Sequence, residues 1–140
     1  MTIYFCGSIA GGRKYLDTYT KIVRYLQDNG HTVPTEHIIA TDVLDTEKEL
    51  TAAQIYKRDV IWLSDSDAAI AEISNPSLGV GYEIGYALDH GKPLLALYEK
   101  DLFVSRMITG NEHPLLTIVE YGDDDDWRAA IDNFLAGVAA

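Results

Sequence analysis

A glycine-rich stretch in the middle of the chain holds the residue with the clearest chemical potential. The sequence "SNPSLGVGYEIGYAL", residues 74–88, begins with turn-forming residues and continues as an apolar helix pattern. Glu83 stands where this helix should be burying itself. A carboxylate there can serve as a nucleophile or an acid–base group if it faces a cleft. It can equally be a capping or solvent-facing glutamate of a first helical turn, and its position alone leaves both interpretations open.

A second loop, "GSIAGGR" at residues 7–13, follows an apolar strand pattern. Its free backbone N–H groups and the hydroxyl of Ser8 could cradle a phosphate. The loop has neither the Gly-Lys-Ser/Thr of a Walker A motif nor the spacing of GxGxxG. The other interpretation is a tight turn that requires glycine. Ser8 also lacks the G-x-S-x-G context of a serine hydrolase.

Other residues with reactive side chains have simpler explanations. Tyr4 lies inside a strand pattern and is typical of a core, although a buried phenol needs a hydrogen-bond partner. Asp59 suits a helix surface, and Cys6 has no evident base beside it. The four histidines lack the spacing of metal ligands: His31, His37, His90 and His113. The sequence therefore predicts neither a metal site nor a cofactor.

Strand and helix patterns alternate along the chain. Strand patterns occur at "TIYFCGSI", "AAIAEI", "KPLLALYE" and "LLTIVEY", with a weaker one at "HTVPTEH" that Pro34 interrupts. This alternation predicts a parallel sheet with helices on both faces. We expect one α/β domain over residues 1–140, a flavodoxin-like open five-stranded sheet with strand order 2-1-3-4-5. Ligands of such sheets bind beyond the carboxyl ends of strands 1 and 3, where both glycine-rich loops fall.

Composition and charge exclude several classes of function. The 140 residues carry a formal charge of −11, and the Lys and Arg residues form no cluster that would bind a nucleic-acid polymer. No run approaches the roughly 20 apolar residues that cross a membrane. The start, "MTIYFCGS", lacks the basic region of a signal peptide, and a single cysteine cannot form an internal disulfide. These features predict a cytoplasmic protein.

Four segments together resemble a known family. "IYFCGSIAGGR", "TEH", "RDVIWL" and "AEISNPSLGVGYEIG" are similar to the 2′-deoxynucleoside 5′-phosphate N-hydrolases of the nucleoside 2-deoxyribosyltransferase superfamily. The similarity extends from residue 3 to about residue 110, and "PSLGVGYE" is its most specific part. It implies hydrolysis of a deoxynucleoside 5′-monophosphate to free base and 2-deoxyribose 5-phosphate, without a cofactor.

The resemblance also implies a role for individual residues. Glu83 matches the family nucleophile, Tyr4 the tyrosine that helps hold it, and Asp59 an acidic residue near the reacting centre. Ser8 and Ser77 match serines that bind the 5′-phosphate. Ser105 matches a phosphate contact that is donated across a homodimer interface. Further residues would line the site or shape its loops: Gly7, Ile9, His37, Gly79, Gly81 and Met107.

Two positions bear on the choice of substrate. The deoxyribosyltransferases typically have an aspartate six residues before the nucleophile, where this chain has Ser77. A hydroxyl can donate to a 5′-phosphate that a carboxylate would repel, so Ser77 favours a nucleotide. Relatives have arginine in "GSIRGGR" where this chain has Ala10, and Arg13 is the alternative cation for the phosphate. Base exchange between deoxynucleosides and a non-catalytic nucleotide-binding module remain the alternative functions.

Overall fold

The structure, a computed structural model, describes residues 1–140. Its four strands are β1 (Ile3–Cys6), β2 (Ala68–Glu72), β3 (Leu94–Glu99) and β4 (Leu116–Tyr121). Three of the six α-helices lie between β1 and β2, and one follows each later strand: α1 (Leu16–Asp28), α2 (Val43–Lys48), α3 (Ala52–Asp65), α4 (Leu78–Asp89), α5 (Arg106–Thr109) and α6 (Asp124–Ala139). A 3₁₀ turn covers Glu36–Ile39. None of these helices is long and apolar enough to cross a bilayer.

The strands form one parallel sheet in the order β1-β2-β3-β4. The α/β class and the parallel sheet are confirmed, but the prediction of five strands in the order 2-1-3-4-5 is wrong. The expected second strand, "HTVPTEH", is reduced to a single bridge between Thr2 and Thr32. That segment still lies beside β1, so β1 has a neighbour on each side. The loops that follow β1 and β2 are therefore adjacent at the carboxyl edge of the sheet.

A side chain explains why the fifth strand does not form. Pro34 has no backbone N–H to contribute to a ladder. The hydroxyl of Thr35 accepts from the N–H of Phe5 at 3.1 Å and donates to the C=O of Phe5 at 2.6 Å. One side chain thus satisfies both backbone groups of Phe5, and the chain turns into the 3₁₀ segment at Glu36.

The two faces of the sheet carry separate cores. Ile3 and Phe5 pack with helices α1 and α6, whereas Tyr4 and Cys6 pack with α3 and α4. This alternation follows from the two-residue period of a strand. Each face is covered by helices, as the sequence predicts. Tyr4 consequently points to the face where α4 lies.

Helix α4 begins with a side-chain cap. The hydroxyl of Ser77 accepts from the backbone N–H of Val80 at 3.2 Å. Val80, Ile84 and Ala87 form the buried stripe of the helix, and Glu83 lies on that stripe between them. The periodicity of α4 therefore directs the carboxylate of Glu83 inward, towards the sheet.

Candidate active site

Glu83 and Tyr4 form a hydrogen-bonded pair between helix α4 and strand β1. The phenol O–H of Tyr4 donates to the Oε2 atom of Glu83. Tyr4 is almost fully buried, with 1% of its surface exposed. This contact is inconsistent with a Glu83 that faces solvent. It is also inconsistent with a Tyr4 that serves only as a core side chain. Each side chain is the hydrogen-bond partner that the other requires.

Burial controls the charge of this pair. Desolvation, together with the negative charge of Asp59, raises the pKa of Glu83 to about 7, against the lowering effect of the bond from Tyr4. Burial and the nearby Glu83 raise the pKa of Tyr4 well above its usual value, so the phenol remains a neutral donor. Glu83 therefore changes its charge near neutral pH, as groups that act on a substrate often do.

Asp59 belongs to a small charged network that joins α3 to α2. The Nε atom of Arg58 donates to Oδ1 of Asp59 at 2.9 Å. The same guanidinium contacts Oε1 of Glu47 at 2.9 Å and lies over the ring of Trp62, 4.8 Å from its centroid. Because the charge of Asp59 raises the pKa of Glu83, the two carboxyl groups share one electrostatic environment. Arg58 therefore fixes the carboxylate of Asp59, whose charge acts on Glu83.

His37 joins this network from the 3₁₀ turn. Its Nε2 atom lies 3.1 Å from Oε1 of Glu47, and its ring packs 5.7 Å from that of Trp62. Burial and the charge of Arg58 lower the pKa of His37, which favours the neutral imidazole. The predicted lining residue thus faces the same region as Asp59. Sequence reasoning missed Glu47 and Arg58, although Arg58 stands next to Asp59 in "RDVIWL".

The side-chain hydroxyl of Ser8 is unusual in its hydrogen bonding. Its Oγ atom is fully buried and has no hydrogen-bond partner. Its backbone N–H donates to the hydroxyl oxygen of Tyr19 at 3.0 Å, which fixes the loop after β1. A buried hydroxyl without a partner costs free energy, so it requires an explanation such as a ligand. This observation favours the phosphate-binding interpretation of "GSIAGGR" over the simple turn.

The loops that follow β1 and β2 touch one another. A Cβ atom on Gly11 would lie 2.7 Å from both the C=O oxygen of Pro76 and the Oγ atom of Ser8, so only glycine fits. The side-chain amide of Asn75 donates to the C=O of Gly11 at 3.1 Å. Gly12 has φ +126°, a conformation that glycine adopts without strain. The two proposed phosphate loops therefore form one joined surface.

Ser77 and Gly79 connect that surface to the carboxylate. An added Cβ on Gly79 would stand 3.9 Å from Oγ of Ser77 and 4.0 Å from Oε1 of Glu83. The hydroxyl of Ser77 accepts the capping bond from Val80, and its own hydrogen has no acceptor in the structure. It is therefore free to donate to a ligand. Gly81 lies one turn on, exposed and without close neighbours.

Three further predicted residues make packing or hydrogen-bond contacts that shape the loop after β1. Gly7 packs against the ring of Tyr19, which an added Cβ would approach to 2.7 Å, and Ile9 packs on the core of the α1 face. The guanidinium of Arg13 donates to the backbone carbonyls of Ser8, Ile38 and Ala40, with distances of 3.4 Å to the first and last. Arg13 thus ties the loop to the 3₁₀ turn.

Ser105 and Met107 are joined to each other rather than to this group by hydrogen bonding. Ser105 caps α5 by accepting from the N–H of Met107 at 3.2 Å, and both residues are exposed, Met107 to 82%. Neither forms a hydrogen bond with the residues around Glu83 within the chain. No three His, Cys, Asp or Glu side chains converge in a way that would hold a metal ion.

A family model of the nucleoside 2-deoxyribosyltransferases matches residues 3–116. The chain belongs to this family. Among its nucleoside 2-deoxyribosyltransferase relatives is a Methanococcoides burtonii protein, provisionally named 2′-deoxynucleoside 5′-phosphate N-hydrolase 1. It is 41% identical over 122 residues, which cover 87% of this chain and 100% of the relative. The resemblance inferred from the sequence is confirmed.

Two further comparisons extend this family placement. A Tetraodon nigroviridis protein named 5-hydroxymethyl-dUMP N-hydrolase is 38% identical over 140 residues, with 97% of this chain and 98% of the relative covered. The solved structure of the Clostridium botulinum CMP N-glycosidase superposes with a TM-score of 0.72 at 17% identity, and covers 96% of this chain and 99% of its own. The two chains therefore share the same fold, despite their low sequence identity.

Proposed function

We propose that the protein hydrolyses the N-glycosidic bond of 2′-deoxynucleoside 5′-monophosphates, releasing the free base and 2-deoxyribose 5-phosphate. The observation that carries the proposal is the partly buried Glu83–Tyr4 pair beside two joined loops that present Ser8 and Ser77. A protein that only binds nucleotides has no need of a desolvated carboxylate at this place. The names of the M. burtonii and T. nigroviridis relatives, both N-hydrolases, add support.

The proposed chemistry has two displacements at C1′ of the sugar. The ionised carboxylate of Glu83 attacks C1′, the C1′–N bond breaks, and its electron pair leaves with the base. The base takes a proton from Asp59 or from a water molecule that Asp59 holds. A water molecule then attacks C1′ of the glycosyl ester, the C1′–O bond to Glu83 breaks, and the proton of the water returns to Asp59 or to the hydroxide that Asp59 holds. Two inversions yield net retention of configuration.

Tyr4 has a defined part in this scheme. Its hydrogen bond orients the carboxylate and stabilises the ionised form against the desolvation that raises the pKa of Glu83. Because the phenol remains protonated, it continues to donate when the carboxylate returns after hydrolysis of the ester. His37 and the Arg58–Glu47 network would line the side of the site occupied by the base.

The phosphate would bind at the joined loops. The unpartnered Ser8 Oγ and the free hydroxyl hydrogen of Ser77 are neutral donors, and the first N–H groups of α4 add to them. Such local donors are needed because the formal charge of −11 repels an anion at long range. Gly7, Ile9, Gly79 and Arg13 would shape this surface, with Arg13 acting through the carbonyls it holds.

We further propose a cytoplasmic homodimer of single-domain subunits, residues 1–140, in which Ser105 and Met107 of one subunit complete the site of the other. The support is their exposure: Ser105 and Met107 form no hydrogen bond with the Glu83 group in their own chain, and an 82% exposed methionine favours contact with a second surface.

A panel of deoxynucleosides and their 5′-monophosphates tests the function directly. We expect free base and 2-deoxyribose 5-phosphate to appear in equal amounts from monophosphates, without an acceptor base. Turnover that requires an added acceptor base would instead establish base exchange. Tight binding of nucleotides without any turnover would establish a binding module and would contradict the proposed reaction.

A further inference from the structure

A second buried carboxylate lies beside the phosphate loops, on the other face of the sheet. Glu72 is the last residue of β2 and has 0% of its surface exposed. By the period of the strand it shares a face with Ala68 and Ile70, which pack with α1 and α6. Glu83 and Tyr4 lie on the opposite face. The proposed reaction assigns no part to Glu72.

Glu72 is satisfied by neutral donors alone. Its Oε1 accepts from the backbone N–H of Ser74 at 2.5 Å, and its Oε2 accepts from the hydroxyls of Ser74 at 3.1 Å and Tyr121 at 2.7 Å. No cation forms an ion pair with it, and burial raises its pKa. An apolar side chain at the end of a buried strand would avoid the cost of desolvating a carboxylate. What the carboxylate adds is a fixed position for Ser74.

Ser74 begins the loop that leads to Ser77. Its hydroxyl also accepts from the backbone N–H of Glu99 at 2.9 Å, so the loop is attached to the ends of β2 and β3. One residue later, the amide of Asn75 holds Gly11 of the neighbouring loop. Residues 73–77 are therefore fixed at their start by Glu72, in the middle by Asn75, and at their end by the cap of α4.

We propose that Glu72 is a positioning residue for recognition of the 5′-phosphate. Its contacts hold Ser74, and through the loop they hold the hydroxyl of Ser77 against the loop of Ser8. This inference rests on the proposed phosphate site at these loops. Because Glu72 lies on the face opposite to Glu83, its loss should weaken phosphate recognition much more than cleavage of a substrate that lacks the phosphate.

The test compares kcat/KM for the preferred monophosphate with that for its nucleoside. Glu72→Gln keeps the shape of the side chain but leaves one acceptor oxygen where three donors now converge. Ser74→Ala is a milder variant that removes the side-chain link and keeps the backbone N–H bond. Glu120→Gln is the control, because Glu120 also accepts from a tyrosine hydroxyl, that of Tyr98 at 2.8 Å, but forms no hydrogen bond with either loop.

We expect Glu72→Gln to reduce the monophosphate-to-nucleoside ratio by about tenfold, chiefly through a higher KM for the monophosphate. Ser74→Ala should reduce the ratio less, and Glu120→Gln should leave it unchanged. An unchanged ratio in folded Glu72→Gln, or an equal loss for both substrates, would overturn the inference. If Glu72→Gln does not fold, the ratio of Ser74→Ala decides in the same way.

The monophosphate-to-nucleoside ratio of the wild-type enzyme distinguishes loss of the Glu72 role from absence of the phosphate site. A wild-type enzyme that prefers the monophosphate, with variants that retain this preference, refutes the role of Glu72 alone. A wild-type enzyme that treats both substrates equally refutes the proposed phosphate site, and the role of Glu72 with it.

Discussion

Tyr4 and Glu83 are 79 residues apart in the chain, yet the phenol of one donates to the carboxylate of the other. The contact exists because Tyr4 is on the α4 face of β1 and Glu83 is on the buried stripe of α4. The same burial that shapes the core of this face raises the pKa of Glu83. The packing of the sheet therefore sets the charge of the proposed nucleophile.

Removal of the carboxylate should abolish turnover while the fold is retained. Glu83→Ala removes a partly buried, desolvated group, and we expect the rate to fall by several orders of magnitude because the nucleophile is lost. Product release under saturating substrate measures the rate, and circular dichroism checks the fold. Asp89→Ala, an exposed change on the same helix, should keep full activity. Retention of more than roughly a tenth of the wild-type rate by Glu83→Ala would refute a covalent role.

The pH dependence of the rate should follow the ionisation of Glu83. The carboxylate must be ionised to attack, so we expect kcat/KM to rise with pH through about 7. Tyr4→Phe removes the hydrogen bond that lowers this pKa, so the rise should move to higher pH and the plateau should fall. Both proteins are measured with one substrate, since titration of its phosphate then affects both profiles equally. An identical midpoint in the two profiles would contradict the proposed role of Tyr4.

Glu83 should also make stability depend on pH. Its pKa rises from 4.5 unfolded to about 7 folded, so the folded state binds the proton more tightly. The free energy of unfolding should therefore fall as pH rises through that window, by at most about 3 kcal/mol. Glu83→Gln should remove this fall and be the more stable protein at pH 8. Urea unfolding at pH 5 and pH 8 measures the free energy of unfolding of both proteins. Because Glu72 is present in both, its own titration cancels when the two are compared. A pH-independent difference would show that Glu83 is not desolvated.

Ser77 should control the preference for a phosphorylated substrate. A hydrogen bond to a charged group is worth about 1.5–3 kcal/mol, so Ser77→Ala should reduce the monophosphate preference by about tenfold or more. Ser77→Asp should abolish the preference, because its carboxylate repels the phosphate. Aspartate also caps helices, so Ser77→Asp should keep the stability that Ser77→Ala loses, about 1 kcal/mol. Equal turnover of nucleotide and nucleoside by the wild type would mean that the serines are structural.

Ser105 can be tested by mixing two inactive proteins. Glu83→Ala lacks the nucleophile, and Ser105→Asp should repel the phosphate at the neighbouring site. If Ser105 acts across a dimer, a mixed dimer contains one intact site, and random exchange should restore about a quarter of wild-type activity. If Ser105 acts within its own chain, mixing restores nothing. A monomeric mass by light scattering, with full activity, would also refute the shared site.

The sequence predicts much of the fold because each long element has a clear period. The four observed strands, the four long helices and the placement of both glycine-rich loops follow from apolar patterns and turn residues. Side-chain burial within α3 is uneven, with Leu63 buried and Ile55 and Val60 only half-buried. The fifth strand is absent because a hydroxyl of Thr35 satisfies Phe5, a long-range contact that no local pattern specifies.

The candidate site is predicted less completely for the same physical reason. Local spacing proposes Glu83 and Ser8, but only the packing of β1 against α4 brings Tyr4 to the carboxylate. Residues 36–50 have no strong periodicity, and they fold into the 3₁₀ turn, which carries His37, and α2, which carries Glu47. Partly buried polar networks such as Glu47–Arg58–Asp59 depend on neighbours from several elements, so no local sequence pattern specifies them.

The close approach of Gly11 to Pro76 and Ser8 has a consequence for protein engineering. With 2.7 Å between an added Cβ and either atom, a larger residue at Gly11 requires both loops to move together. Grafting one loop from a relative with different substrate specificity should therefore give a poorly folded chimaera, whereas exchange of residues 7–13 and 73–77 as a single unit keeps their fit. In directed evolution, these two distant stretches of sequence should change in concert.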